Sequence, residues 1–163
     1  MHRTLSALVV ALTLAAVPAF AGIADSPLPV LISGETTFHL YSVPGVISNG
    51  VLGTYFACTS TDTATIQVGV ELFGPPGGAP FNDAAATSFS VAAGATVMFG
   101  TGAAAGLSIN SNLGGFLSKG SARILATSKK LACTAFVADA GNFPPTSGWQ
   151  LTIIAKLKQK AAN

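Results

Sequence analysis

The chain has 163 residues, of which only 9% are charged and 50% hydrophobic, with a formal net charge of +2. That balance lacks the basic footprint of a nucleic-acid or anionic-membrane binder. It is also unlike a solvated cytosolic enzyme, and the abundance of Gly, Ser, Thr and Ala fits an exported β-protein, a surface layer or a fibre subunit.

The first segment, MHRTLSALVVALTLAAVPAFAG, has the three parts of a Sec-type signal peptide. Arg3 supplies a basic start. Residues 5–17 form an apolar run too short for a comfortable membrane span. Pro18 ends that helix, and Ala19 and Ala21 are the small residues a signal peptidase reads, so cleavage is expected between Ala21 and Gly22. A retained anchor is the weaker alternative. Residues 1–21 are then a signal-peptide helix, and residues 22–163 form one domain of ordinary size. No later stretch is apolar enough to span a bilayer. The expected destination is the periplasm, the cell surface or the medium.

Beyond Gly22 a period of two dominates. The opening IADSPLPVLI reads as an extended apolar arm with an edge strand at residues 30–33. Strands are expected at residues 37–43, in LGTYFACTS, and at residues 66–72, where Ile66, Val68, Val70 and Leu72 alternate with polar or small residues. The run GPPGGAP must be a loop. Residues 88–91, 96–100 and 122–127 read as further strands, separated by turns at Pro44-Gly45, Asn49-Gly50, Ala93-Gly94 and Ser128-Lys129-Lys130. Residues 100–120 read as one long glycine-rich connection. The last two strands are LACTAFV and residues 150–159. No helical stripe occurs in this part, so the fold is all-β, a sandwich of seven to nine short strands.

Cys58 and Cys133 are the only cysteines and both fall on inward strand faces. In an oxidising compartment such a pair is expected to form a disulfide, here spanning the core between two strands. Two free thiols, or half of a metal site, are the alternatives. Residues 22–118 carry five acids and no base, whereas residues 119–163 carry seven bases and one acid. A head-to-tail dipole is one reading; pairing of late strands beside early ones, which mixes the charges, is the favoured one.

Catalytic and cofactor patterns fail on inspection, and no cofactor or metal is expected. His39 is the only histidine after residue 2 and no nucleophile elbow accompanies it, although a triad with Asp62 or Asp139 can be written on paper. The carboxylates form no glycosidase pair. Blue copper needs two histidines. FGTGAAAG departs from the dinucleotide fingerprint in spacing and has no following helix. What remains is a candidate binding loop with Asn110, Asn112, Phe116 and Lys119, and a second irregular segment ending in Trp149. An ordinary long connection and a core-plugging Trp are the bland alternatives.

The strand YFACTS, the strand ending in Phe99-Gly100, the turn VAAGATV, and the strands GSARILATS and LACTAFVADA together resemble a recurrent pattern of uncharacterised exported bacterial proteins. The resemblance covers residues 52–157 and implies an immunoglobulin-like sandwich with no transferable activity. Two features depart from immunoglobulin domains. Trp149 follows the second cysteine, and Leu131 stands where a tyrosine-corner Tyr would be. The expected function is that of a non-enzymatic exported structural or interaction protein, a surface, matrix or filament subunit joined to a protein partner or to itself through extended termini. The alternative is a ligand-binding module, for carbohydrate or a partner, using the glycine-rich and Trp149 loops.

Overall fold

The structure is a computed structural model describing residues 22–24, 26–102, 106–142 and 144–156. The expected signal segment with Ala19 and Ala21 lies outside the described residues, as do residues 157–159 of the expected last strand. Ten strands and no helix occur among the described residues: β1 (Phe38–Ser48), β2 (Leu52–Ser60), β3 (Ile66–Phe73), β4 (Phe89–Val91), β5 (Thr96–Gly100), β6 (Ser111–Asn112), β7 (Leu117–Ala126), β8 (Leu131–Asp139), β9 (Gly148–Leu151) and β10 (Ile154–Ala155).

Hydrogen bonding links all ten into one strongly bent sheet. One run has the order β4-β3-β7-β1, with β10 on the far side of β1; the other has the order β9-β8-β2-β5-β6. The runs meet through a single register pair, Ser48↔Gly53, at the β1–β2 turn. That turn is closed by the Asn49 side chain, whose Oδ1 accepts from the amides of Val51 and Leu52 at 3.1 and 2.7 Å. Alternating residues of both runs point into one core, among them Val43, Phe56, Val68, Val97, Phe99, Ile124 and Ala135.

Cys58 and Cys133 are bonded to each other. They do not span the core between the two runs. They are direct register partners on β2 and β8 with Cα atoms 4.1 Å apart, the short separation of a non-hydrogen-bonded antiparallel pair. Alternation places both cysteines inward, and their adjacency follows from the nine-residue β2–β8 ladder.

Three segments differ from their expected form. Pro44-Gly45 is no turn. It lies inside β1, where the β1–β7 register shifts between Pro44 and Val46; a bulge is where a strand tolerates a residue without an amide proton. Residues 117–120 belong to β7, not to a long loop, because Leu117 is buried in the core and Gly120 pairs with Val46. The C-terminal strand is two pieces: β9 on β8, then β10 on Tyr41 and Ser42 of β1.

The largest departure is β3. Its alternation reads as half-buried, yet both faces are covered. Val68, Val70 and Leu72 enter the core, while Gly69 and Glu71 lie under the N-terminal segment. That segment is neither a strand nor a free arm. Leu31 packs with Ala84 and Leu125, and a Cβ on Gly69 would come within 3.0 Å of the Leu31 side chain. Arg123, 1% exposed, is the cross-strand partner of Glu71 and its Nε donates to Glu71 Oε2. Its two terminal nitrogens donate to the carbonyls of Ser26 and Pro27 at 2.9 and 2.8 Å.

Two outcomes are expected in denaturant unfolding. Arg123→Ala leaves Glu71 buried without its counter-charge and lowers stability by about 3–5 kcal/mol, whereas replacing both members with apolar residues costs far less. Removing the disulfide, which closes a sequence separation of 75, lowers stability by about 4 kcal/mol on the chain-entropy scale.

Candidate functional site

The loops at one pole are rich in glycine and proline, and they carry the large apolar groups that the core leaves outside. The β3–β4 connection starts with the run from Gly74 to Pro80, whose prolines remove amide donors and hold it off the sheet. Asn82 then returns the chain to β3. Its Oδ1 accepts from the Leu72 amide at 2.7 Å and its Nδ2 donates to the Val70 carbonyl at 2.9 Å. The side chain thus takes the place of a strand along the edge that β4 does not cover.

These contacts fix Phe81 over Gly115. Gly115 has φ +85°, and an added Cβ would sit 1.9 Å from the Phe81 ring, so both the conformation and the space require glycine. Phe116 follows, 69% exposed, and Phe81 is 50% exposed. Between them lies a cleft of about 500 Å³ walled by Pro75, Pro76, Pro80, Phe81, Phe116 and Leu117. None of its lining residues is titratable. On its other side Phe116 borders a second hollow of about 320 Å³ lined by Ser48, Gly53, Thr101 and Ala140. The floor of that hollow is tied together: Ser48 Oγ lies 3.0 Å from the Thr101 carbonyl and 2.8 Å from the Gly115 carbonyl, and the Thr54 amide donates to Thr101 Oγ1 at 2.9 Å. The arrangement offers an apolar, aromatic-edged contact surface on a fixed base. It holds no acid–base pair and no set of metal-ligand donors.

The expected binding-loop residues do not converge. Asn110 is spent on the fold: its Oδ1 accepts from the Met98 amide at 2.9 Å and its own amide donates to the Met98 carbonyl at 2.8 Å. Asn112 accepts from the Gly114 amide at 2.9 Å, closing the turn before Phe116. Lys119 is exposed on β7. Trp149 is on edge strand β9, paired with Val137 and 50% exposed, rather than in a loop or plugging the core. β9 and β6 are opposite ends of their run, four strand spacings apart, or roughly 19 Å. Of the five residues, Phe116 alone belongs to the pole. Phe81 is the pole's other aromatic residue, and its only signal in the sequence is a Gly-Pro run leading into an aromatic residue.

The residues considered for catalysis are each held elsewhere. His39 Nε2 lies 3.1 Å from the Tyr41 carbonyl and 3.0 Å from Ser42 Oγ. Burial, with the positive charges of Lys156 and Arg123, pulls its pKa down to about 4, so it is neutral at pH 7. Asp62 accepts from Ser128 and from the Thr63 amide and faces Lys130; these bonds hold its carboxyl down at about 2. Asp139 accepts from Asn142, the Gly141 amide and Thr146, which lower its pKa and organise the β8–β9 loop. Burial raises the pKa of Tyr55, with the Asp139 charge adding to it. Neither aspartate is bonded to His39. Among the described residues no group of three or more potential metal ligands occurs, and no helix is long and apolar enough to cross a membrane.

No family model, curated protein or solved structure matches the chain.

His39 gives a pH signature. It titrates near 4 when folded and near 6.5 when unfolded, so between those values the unfolded chain binds the extra proton. Stability contributed by neutral His39 is full above pH 6.5 and is lost as the pH falls toward 4. Unfolding free energies measured across that window should rise with pH, and His39→Gln should flatten the rise. Asp62 acts only below pH 4 and leaves this window unaffected.

Proposed function

We propose that the protein is an exported, non-enzymatic interaction or structural subunit with an immunoglobulin-like sandwich, and that its apolar pole is where it meets another copy of itself. The observation that carries the reading is the pair of aromatic side chains, Phe81 and Phe116, kept outside the core by proline and glycine loops. An exposed cluster of large apolar groups on a rigid base is the usual mark of a contact surface. Its lining carries no charge, and a second copy offers the same apolar surface in return.

The exported location is supported by the Cys58–Cys133 disulfide, which is compatible with an oxidising compartment. The sandwich reading is supported by the pairing of β1 with β7 in one run and β2 with β8 in the other, both facing one core. The disulfide lies within one run, whereas immunoglobulin domains bridge their two sheets. The resemblance to exported bacterial proteins belongs to the same proposal. Carbohydrate binding is the second reading, favoured by the half-exposed Trp149 and by the aromatic edge of the pole.

The test is made on protein recovered from the expressing cell. Mass spectrometry is expected to find Gly22 as the first residue, and sedimentation and electron microscopy are expected to find concentration-dependent assembly. The double substitution Phe81→Ser and Phe116→Ser should weaken that assembly by at least about tenfold, the scale of one or two buried aromatic anchors. A strict monomer at high concentration overturns the assembly reading. A Trp149 fluorescence shift with oligosaccharides would establish the second.

A further inference from the structure

The N-terminal segment is held to the domain in an unusual way. Residues 26–31 lie across the outer face of β3 and β7, but they add no strand to the sheet. The two ends of the contact are side-chain features of the domain: the Arg123 guanidinium fork, which takes the carbonyls of Ser26 and Pro27, and the pocket formed by Ala84, Gly69 and Leu125, which takes Leu31. Arg123 is itself aimed by Glu71 and lies 5.2 Å from the centroid of the Phe73 ring. A planar fork fixed in this way presents two parallel donors to an extended peptide. Pro27 and Pro29 favour that extended form.

The tether of the segment is a short turn, across which the Leu31 amide donates to Thr37 Oγ1 at 3.3 Å. Past Leu31 the chain reverses through an exposed turn, closed by the Glu35 amide donating to the Ile32 carbonyl at 3.2 Å, with Gly34 at φ +85° and nothing near it. β1 then runs back in the opposite sense, so Phe38 stands opposite Ala126 and Ser42 opposite Arg123. The outward side of the segment carries exposed Leu28, Val30 and Ile32.

We propose that the groove of Arg123, Glu71, Gly69 and Leu125 is a receptor for an extended, proline-containing segment, filled in the isolated chain by its own residues 26–31 and in the assembled protein by the same residues of a second copy. The inference rests on the assembly reading above and supplies its link: each copy gives one segment and accepts one. Intramolecular docking prevails in dilute solution because the short turn gives the chain's own segment a high effective concentration. Crowding of copies, or a turn too short to fold back, favours exchange. The occupant is identified by the occupied groove itself, since the complementary carbonyls and the leucine are part of this sequence.

Two experiments test it. Deleting Ser33 and Gly34 removes the reversal, and the variant is expected to self-associate at least about tenfold more tightly than the unaltered chain. Leu31→Asp in that background should return it to a monomer. A cooperatively folded, monomeric deletion variant overturns the proposal, and so does association that survives Leu31→Asp. Should the deletion variant fail to fold, the full unaltered sequence with photo-leucine at position 31 decides. Heavy- and light-isotope copies are mixed at high concentration and irradiated, and adducts between position 31 of one copy and β3 or β7 peptides of the other are expected. Adducts confined to single copies overturn the exchange. If such intrachain adducts accompany assembly that needs Phe81 and Phe116, exchange falls while the assembly reading stands. If the unaltered chain never assembles but the deletion variant associates through Leu31, the receptor groove stands and the assembly reading falls.

Discussion

The ion pair of Arg123 with Glu71 is the constraint around which the rest of one strand run is organised. Both residues sit on the outer face of adjacent strands, directly opposite each other, where an ordinary antiparallel sheet would leave them in water. Here they are buried, so the guanidinium needs further acceptors, and the carbonyls of Ser26 and Pro27 supply them. The N-terminal segment must therefore lie on this face, Leu31 must follow it onto Gly69 and Leu125, and β3 becomes covered on both sides. A one-residue slip of β3 against β7 would drive a charge into the apolar core. The pair thus serves specificity of register at least as much as stability, because two well-packed apolar residues could match its net energy.

The second run has its own register lock, of a different chemical kind. Cys58 and Cys133 are opposite each other, third from one end of the β2–β8 ladder, and the covalent bond excludes every other alignment of those strands. The two locks complement one another, since the runs share only the Ser48↔Gly53 pair and the common core. Edges are treated with the same economy. Asn82 beside the edge of β3 and Asn110 beside the edge of β5 offer side-chain or backbone groups where a full neighbouring strand is missing, which denies those edges to a stray partner.

Much of this fold is legible in the sequence because alternation is a local property. Residues 96–100 read as a strand and form β5; Leu131, Ala135 and Val137 read as inward and are buried. What is not legible depends on cover supplied from far away. Arg123, set between Ala122 and Ile124, has the pattern of any outward polar residue, and nothing nearby announces that residues 26–31 will bury it. The Pro44-Gly45 pair has the chemistry of a turn and of a bulge alike, and pairing with β7 decides between them. At the pole, Phe116 could be singled out as an exposed aromatic in a glycine loop. Asn110 and Asn112 could not be told from ligand-binding groups, because their use as backbone surrogates depends on the neighbouring strand and turn.

The charge layout shows how the strand order alters what a sequence suggests. Acids crowd the first part of the chain and bases the last, as in a dipolar, head-to-tail subunit. The strand order undoes part of this: β7 comes to lie between β1 and β3, bringing Arg123 to Glu71, and the β7–β8 turn brings Lys130 within 3.4 Å of Asp62. Two acid–base pairs are thereby formed inside one molecule, and the charge separation between the two parts of the chain is reduced to that extent. Recognition that does not rely on long-range charge works at contact distance, through shape and apolar area. The Phe81–Phe116 cleft and the outward side of residues 28–32 offer that kind of surface, and both are held in place by fixed partners: Gly115 and Asn82 for the cleft, Arg123 for the segment.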